Sequence, residues 1–264
     1  MKQVLTIAGS DPGGGAGIQA DLKAIHANGC YALTVLAALT AQNTQEVRAV
    51  FDLPVAVVLA QLDAVQDDFT VDAAKTGMLG SAELVAALAG QLRRRPVPWL
   101  VVDPVMVSSS GHRLLAEDAV AALRTLLLPL ASVATPNLSE AEVLAGHPIR
   151  DRDEAEQAAR AIHALGARAV LIKGGHRVSA GGQAEDLLYD GREVTLFAAP
   201  HIVTRSTHGT GCTLSAALAA RLAQGEPLPE AVQAAKDYVT GAIRHGLPLG
   251  HGRGPTDHFW RFDR

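Results

Sequence analysis

Val4-Leu5-Thr6-Ile7-Ala8-Gly9-Ser10-Asp11-Pro12-Gly13-Gly14-Gly15-Ala16-Gly17 runs from a short β-type segment into a glycine-rich turn, and residues 18–28 then take up a helical apolar period. One strand, turn and helix would decide little, but the unit recurs to the end of the chain. Residues 32–39, 71–76, 99–102, 133–135 and 169–172 read as strands. Between and after them, residues 54–67, 81–94, 118–127, 139–145 and 151–165 read as helices. Residues 186–189 and 194–198 read as a hairpin turned by Asp190-Gly191, and residues 211–224 and 227–244 as closing helices. This alternation predicts an α/β fold with a mostly parallel central sheet covered by helices on both faces.

Composition narrows the class. A chain of 264 residues with 48% hydrophobic, 19% charged and 4% aromatic residues is long enough for a large core and short enough for one domain, expected over 1–264. Its net charge of −4 gives no electrostatic footprint for nucleic acid. Arg93-Arg94-Arg95 ends a helical pattern before Pro96, where cations complement the helix dipole. No apolar run reaches the roughly 18 residues of a membrane span, and the first residues show no basic segment with a cleavage site. Cys30 and Cys212 are too few for a disulfide framework and lack zinc spacing. A cytoplasmic protein with no membrane partner is expected.

In folds of this kind ligands gather at the carboxyl ends of the strands. A dinucleotide site fails there: G-x-G-x-x-G is matched only loosely, and Ala41-Gln42 stands near the end of the second strand where an acidic residue belongs. No G-x-x-x-x-G-K-[ST] occurs either. The chemistry-bearing strand ends are Asp103-Pro104-Val105-Met106, Thr135-Pro136-Asn137-Leu138-Ser139-Glu140 and Lys173-Gly174. To these is added Ser206-Thr207-His208-Gly209-Thr210-Gly211-Cys212-Thr213, running into an Ala/Leu-rich helix former. Bare backbone at a helix start leaves unpaired N–H groups aimed at one spot, where an anion is favoured and a thiol such as that of Cys212 tends toward a lower pKa.

Together these groups suit a nucleoside triphosphate. Asp103 and Glu140 would hold Mg²⁺ directly or through its waters, and Lys173 would meet phosphate oxygens. The amides around Gly209, Thr210 and Gly211 would stabilise charge on a transferring phosphoryl group. Each residue also has a plainer reading, since Asp before Pro forms turns, Asn-x-x-Glu caps helices, and a lone lysine often lies on a surface.

Set in order, residues 5–23, 40–45 (Thr40-Ala41-Gln42-Asn43-Thr44-Gln45), 75–79 (Lys75-Thr76-Gly77-Met78-Leu79), 103–106, 135–140, 173–176 and 208–215 resemble the ribokinase-like superfamily. Within it they resemble the bacterial hydroxymethylpyrimidine/phosphomethylpyrimidine kinases of thiamine biosynthesis. The resemblance implies a ribokinase-like three-layer sandwich, ATP and Mg²⁺ as cofactors, and a homodimer. The small-molecule substrate would be an aminopyrimidine, phosphorylated first on its hydroxymethyl group and then on the monophosphate. It places Gln42, Asp21, Gly9, Met78 and Val105 around the ring, and Asn137, Thr207, Lys173 and Gly211 on the nucleotide. Catalysis would fall to Cys212, Gly209, Thr210, Gly211 and Lys173. Cys212 stands where the superfamily's G-A-G-D has an aspartate, and a thiol of adjustable charge would suit both a neutral and an already phosphorylated acceptor. Pyridoxal kinases share the scaffold, and a non-catalytic pyrimidine-binding module is the alternative of another class. Residues 177–183 read as a lid or a polar surface loop.

Overall fold

A computed structural model describes residues 1–106, 117–174 and 182–262. The described strands form one nine-stranded sheet in the order β3-β2-β1-β4-β5-β6-β7-β8-β9. They are β1 (Gln3–Gly9), β2 (Tyr31–Gln42), β3 (Val47–Asp52), β4 (Ala73–Thr76), β5 (Leu100–Val102), β6 (Val133–Ala134), β7 (Val170–Ile172), β8 (Gln183–Tyr189) and β9 (Val194–Pro200). From β2 to β7 neighbours are parallel, while β3 and the β8–β9 hairpin add antiparallel edges. The expected mostly parallel α/β sheet is therefore present.

Alternation along the strands builds two cores. Leu5 and Ile7 of β1 face α2 (Val55–Asp68), α3 (Ala82–Arg94), α4 (Glu117–Ala122) with the turns that follow it, α5 (Leu138–Ala145) and α6 (Arg152–Ala164). Val4, Val101 and Leu171 face α1 (Gly17–Ala27), α7 (Thr210–Ala223) and α8 (Leu228–Arg244). Strands buried on both faces read as continuous apolar runs, which is why the sequence marked them so clearly. Helix α7 is buried along both flanks, from Thr213 to Ala220 without a break, because it lies between the sheet and its two helical neighbours. Its small side chains permit that close approach.

The sequence reading placed these elements within a few residues but missed β3 and the last three residues of β2. Strand β3 is exposed along nearly its whole length, so it carries no alternating apolar signal. Its turn is fixed instead by Asn43, whose Oδ1 accepts from the amides of Gln45 and Glu46. The extension carries Gln42 past the body of the sheet, onto a two-stranded flap at its edge. Of the stretch expected as a lid, residues 177–181 lie outside the described residues.

Candidate active site

The carboxyl ends of β1, β5, β6 and β7 open on the same side of the sheet as the start of α7. Register brings them together: Lys173 N donates to Pro136 O, bridging the ends of β6 and β7. Asp103 follows β5 and is almost fully buried. Its Oδ1 accepts from Lys173 Nζ at 2.7 Å and Thr135 Oγ1 at 3.4 Å, and its Oδ2 accepts from Ser215 Oγ at 3.0 Å. Burial works to raise its pKa, yet Lys173 and Lys75 outweigh that and hold the carboxyl below the usual carboxylate range. Burial similarly opposes the charge on Lys173, but Asp103 and Glu140 keep the ammonium protonated.

Helix α7 has Gly209 as its N-cap, with no side chain capping the first turn. The Gly211 and Cys212 amides therefore lack an intrahelical acceptor. A Cβ on Gly211 would stand 3.3 Å from Lys173 Nζ and 3.9 Å from Asp103 Oδ2, so the bare helix start and the ammonium share one small space. Gly209 serves differently. Its φ of +79° and a Cβ position 1.7 Å from Gly15 O lock this turn onto the glycine-rich turn after β1. Thr207 is half-buried, with its carbonyl 3.5 Å from the Thr210 amide.

Gly9 and Met78 touch, since a Cβ on Gly9 would lie 2.4 Å from Met78 Cε. Val105, two residues beyond Asp103, is half-buried. Gln42 reaches from the flap to within 3.3 Å of His208 Nε2. Sequence reasoning gave neither His208 nor Asp11 a role. His208 Nε2 lies 2.8 Å from Asp11 Oδ2, and the same carboxylate accepts from the amides of Gly13, Gly15 and Ala16. An aspartate ahead of several bare glycine amides was the available signal.

The structure gives Asp21, Asn137, Glu140 and Lys173 partners within the protein, and it overturns the expected lowering of the Cys212 pKa. Asp21, expected beside the ring, is fully buried, with Lys75 Nζ at 2.9 and 3.0 Å and Thr6 Oγ1 at 2.6 Å. Lys75, unassigned in the sequence, is the fully buried partner that neutralises it. Cys212 does not have a lowered pKa. Burial pushes the thiol up to about 11 against the help of Lys75 and the Gly17 amide, so it is neutral at pH 7 despite its place at a helix start. Asn137 and Glu140 form a capping box on α5, each accepting from the other's backbone amide at 2.9 and 2.7 Å, as the plainer reading had it. Burial raises the Glu140 carboxyl to about 7. Lys173, expected on phosphate oxygens, has its Nζ 2.7 Å from Asp103 Oδ1.

The phosphomethylpyrimidine kinase model matches residues 11–257. The chain belongs to the phosphomethylpyrimidine kinase family. A hydroxymethylpyrimidine/phosphomethylpyrimidine kinase of Streptomyces coelicolor is 54% identical to this member of the family, over 97% of this chain and 94% of the relative. The thiamine biosynthesis bifunctional protein ThiED of Geobacter sulfurreducens is 51% identical over 97% of this chain, which spans 52% of that longer relative. A solved ADP complex of Bacillus subtilis pyridoxal kinase superposes with a TM-score of 0.91 at 41% identity, covering 98% of this chain and 97% of the other. This phosphomethylpyrimidine kinase family member is thus a phosphotransferase of ribokinase-like fold. Among the described residues no helix is long and apolar enough to cross a membrane.

Proposed function

We propose that the chain transfers the γ-phosphoryl group of ATP to the hydroxymethyl group of 4-amino-5-hydroxymethyl-2-methylpyrimidine and then a second to the resulting monophosphate. The observation that carries this reading is the meeting of Lys173 Nζ with the uncapped start of α7 beside Asp103. Phosphoryl transfer asks a protein mainly for positioning and for donors aimed at the charge on the transferring group. The Gly211 and Cys212 amides supply those donors, and Lys173 swings between Asp103 and a phosphate oxygen with little cost because its charge stays paired.

The donor set fits Mg²⁺ only in part. Asp103 already accepts from Lys173 and Ser215, and Glu140 from the Asn137 and Met106 amides. Among the described residues no group of three or more His, Cys, Asp or Glu forms a metal cage. That suits an ion that keeps its waters, held by Asp103 and Glu140 through them, and bound there it would neutralise phosphate charge.

With a neutral thiol at Cys212, the first transfer does not begin with a thiolate removing the hydroxyl proton. A loose transition state lets the hydroxyl keep its proton until the new P–O bond is well advanced. The absence of a fixed carboxylate at this position equally spares the second acceptor, a phosphate monoester, from repulsion. The flap side chains Leu39, Val50 and Phe51 are exposed and apolar, which supports a homodimer. Single-turnover transfer of labelled γ-phosphate from ATP to each pyrimidine tests the assignment. Appearance of monophosphate and then diphosphate is the expected course, and ATP use without either product would refute it.

A further inference from the structure

Asp11 and His208 pose a question of hydrogen placement that reaches the substrate side chain. A carboxylate can only accept, and Asp11 Oδ2 lies 2.8 Å from His208 Nε2. Burial alone would raise the Asp11 pKa, but His208 and the Ala16 and Gly13 amides outweigh it and keep the group ionised. The hydrogen between them therefore belongs to His208 Nε2, whether the imidazole is neutral or charged.

Gln42 Nε2 stands 3.3 Å from that same nitrogen. Two N–H groups so placed repel. A half-turn about the last side-chain bond of Gln42 exchanges its amide nitrogen for its oxygen and converts the conflict into a second acceptor for the one imidazole hydrogen. We infer that the Asp11–His208 pair is a specificity-determining positioning device, which holds the Gln42 carboxamide with its oxygen on His208 and its amino group turned away as a donor to the acceptor ring. The inference rests on the reading that Gln42 meets the aminopyrimidine.

An aminopyrimidine suits a carboxamide fixed this way. Its ring nitrogen accepts from the Gln42 amino group, and its exocyclic amine donates to the lone pair left on the Gln42 oxygen. Pyridoxal has no exocyclic amine and loses the second of these. The pair is also well anchored. Asp11 gathers three amides of the glycine-rich turn, and the imidazole rests against Gly15, where a Cβ would lie 2.5 Å from His208 Cδ2. His208 directly precedes the Gly209 N-cap of α7, so both glycine-rich turns bear on the orientation of one amide.

Nitrogen-15 NMR of the full chain reads the placement directly, with the His208 signals identified by their loss in His208→Phe. A protonated Nε2 is expected, and a bare Nε2 with the hydrogen on Nδ1 overturns the proposal. Kinetics supply the second arm. His208→Phe keeps a ring against Gly15 but removes the donor, and should raise KM for the aminopyrimidine about tenfold with kcat changed less than about threefold. His208→Gln restores an N–H at similar reach and should return KM to within about threefold of the parent, while KM for pyridoxal moves little in either variant. Equal losses in both variants, or a loss confined to kcat, would also overturn it. A parent that does not phosphorylate the aminopyrimidine refutes the functional reading instead, and the NMR result still decides the hydrogen placement.

Discussion

Replacing Gly211 with valine separates catalysis from folding more sharply than any other change at this site. Gly211 has ordinary helical backbone, being absent from the positive-φ glycines, so a side chain there incurs no conformational strain. Its Cβ would stand 3.3 Å from Lys173 Nζ, and the valine branches extend about 1.5 Å further, into the space that the ammonium shares with the first turn of α7. The flexible end of Lys173 can yield, which preserves the fold but removes it from the transferring phosphate. Loss of one donor of this kind costs about 10² to 10³ in kcat. Stability should change by no more than about 1 kcal/mol, because the gain from replacing glycine in a helix offsets local crowding. Gly209→Ala supplies the contrast. Its φ of +79° and the 1.7 Å approach to Gly15 O leave no room, so stability should fall by about 3 kcal/mol or more. Denaturant unfolding and steady-state kinetics on both variants check the pair. A stably folded Gly211→Val enzyme with kcat within about threefold of the parent would remove this helix start from the chemistry.

Lys75→Met leaves Asp21 buried without its partner and should lower stability by about 3–5 kcal/mol, part of which Asp21→Asn restores in the double variant; a loss below about 1 kcal/mol in urea unfolding would contradict the buried pair. Glu140→Gln keeps the capping box but removes a carboxyl raised from 4.5 to about 7. The native state then binds more protons than the unfolded chain between those values, so parent stability falls as pH rises from about 4.5 through about 7, and the variant should lose that slope in urea midpoints measured at pH 5, 6, 7 and 8. Cys212→Asp places a charge beside Asp103 and Asp21 and should slow the second transfer more than the first in single-turnover assays, whereas equal losses would mean that charge at this position does not distinguish the acceptors.

The fold was legible because its parallel strands are buried on both faces and its helices carry caps such as Ser81 and Asp151, whose side chains accept from Leu84 and Glu154 amides. Grouping the strand ends set Asp103, Lys173 and the α7 turn beside one another, as they lie in the structure, because a parallel sheet delivers all its carboxyl ends to one side. What escaped depended on partners far along the chain. Nothing local tells that Lys75 meets Asp21 54 positions away, or that His208 meets Asp11 across 197. The Cys212 thiol was misjudged for the same reason: a helix start is visible in sequence, but the burial that outweighs it is a property of the assembled site.

Phosphorylation of the aminopyrimidine and of pyridoxal, measured side by side as kcat/KM with ATP for the parent and for Gln42→Met, tests the substrate assignment most directly. The parent should prefer the aminopyrimidine, and Gln42→Met should lose about 10- to 100-fold on it by leaving its polar edge unpaired, with little change on pyridoxal. A parent that prefers pyridoxal, or a Gln42→Met enzyme that uses the aminopyrimidine as well as the parent does, would contradict it.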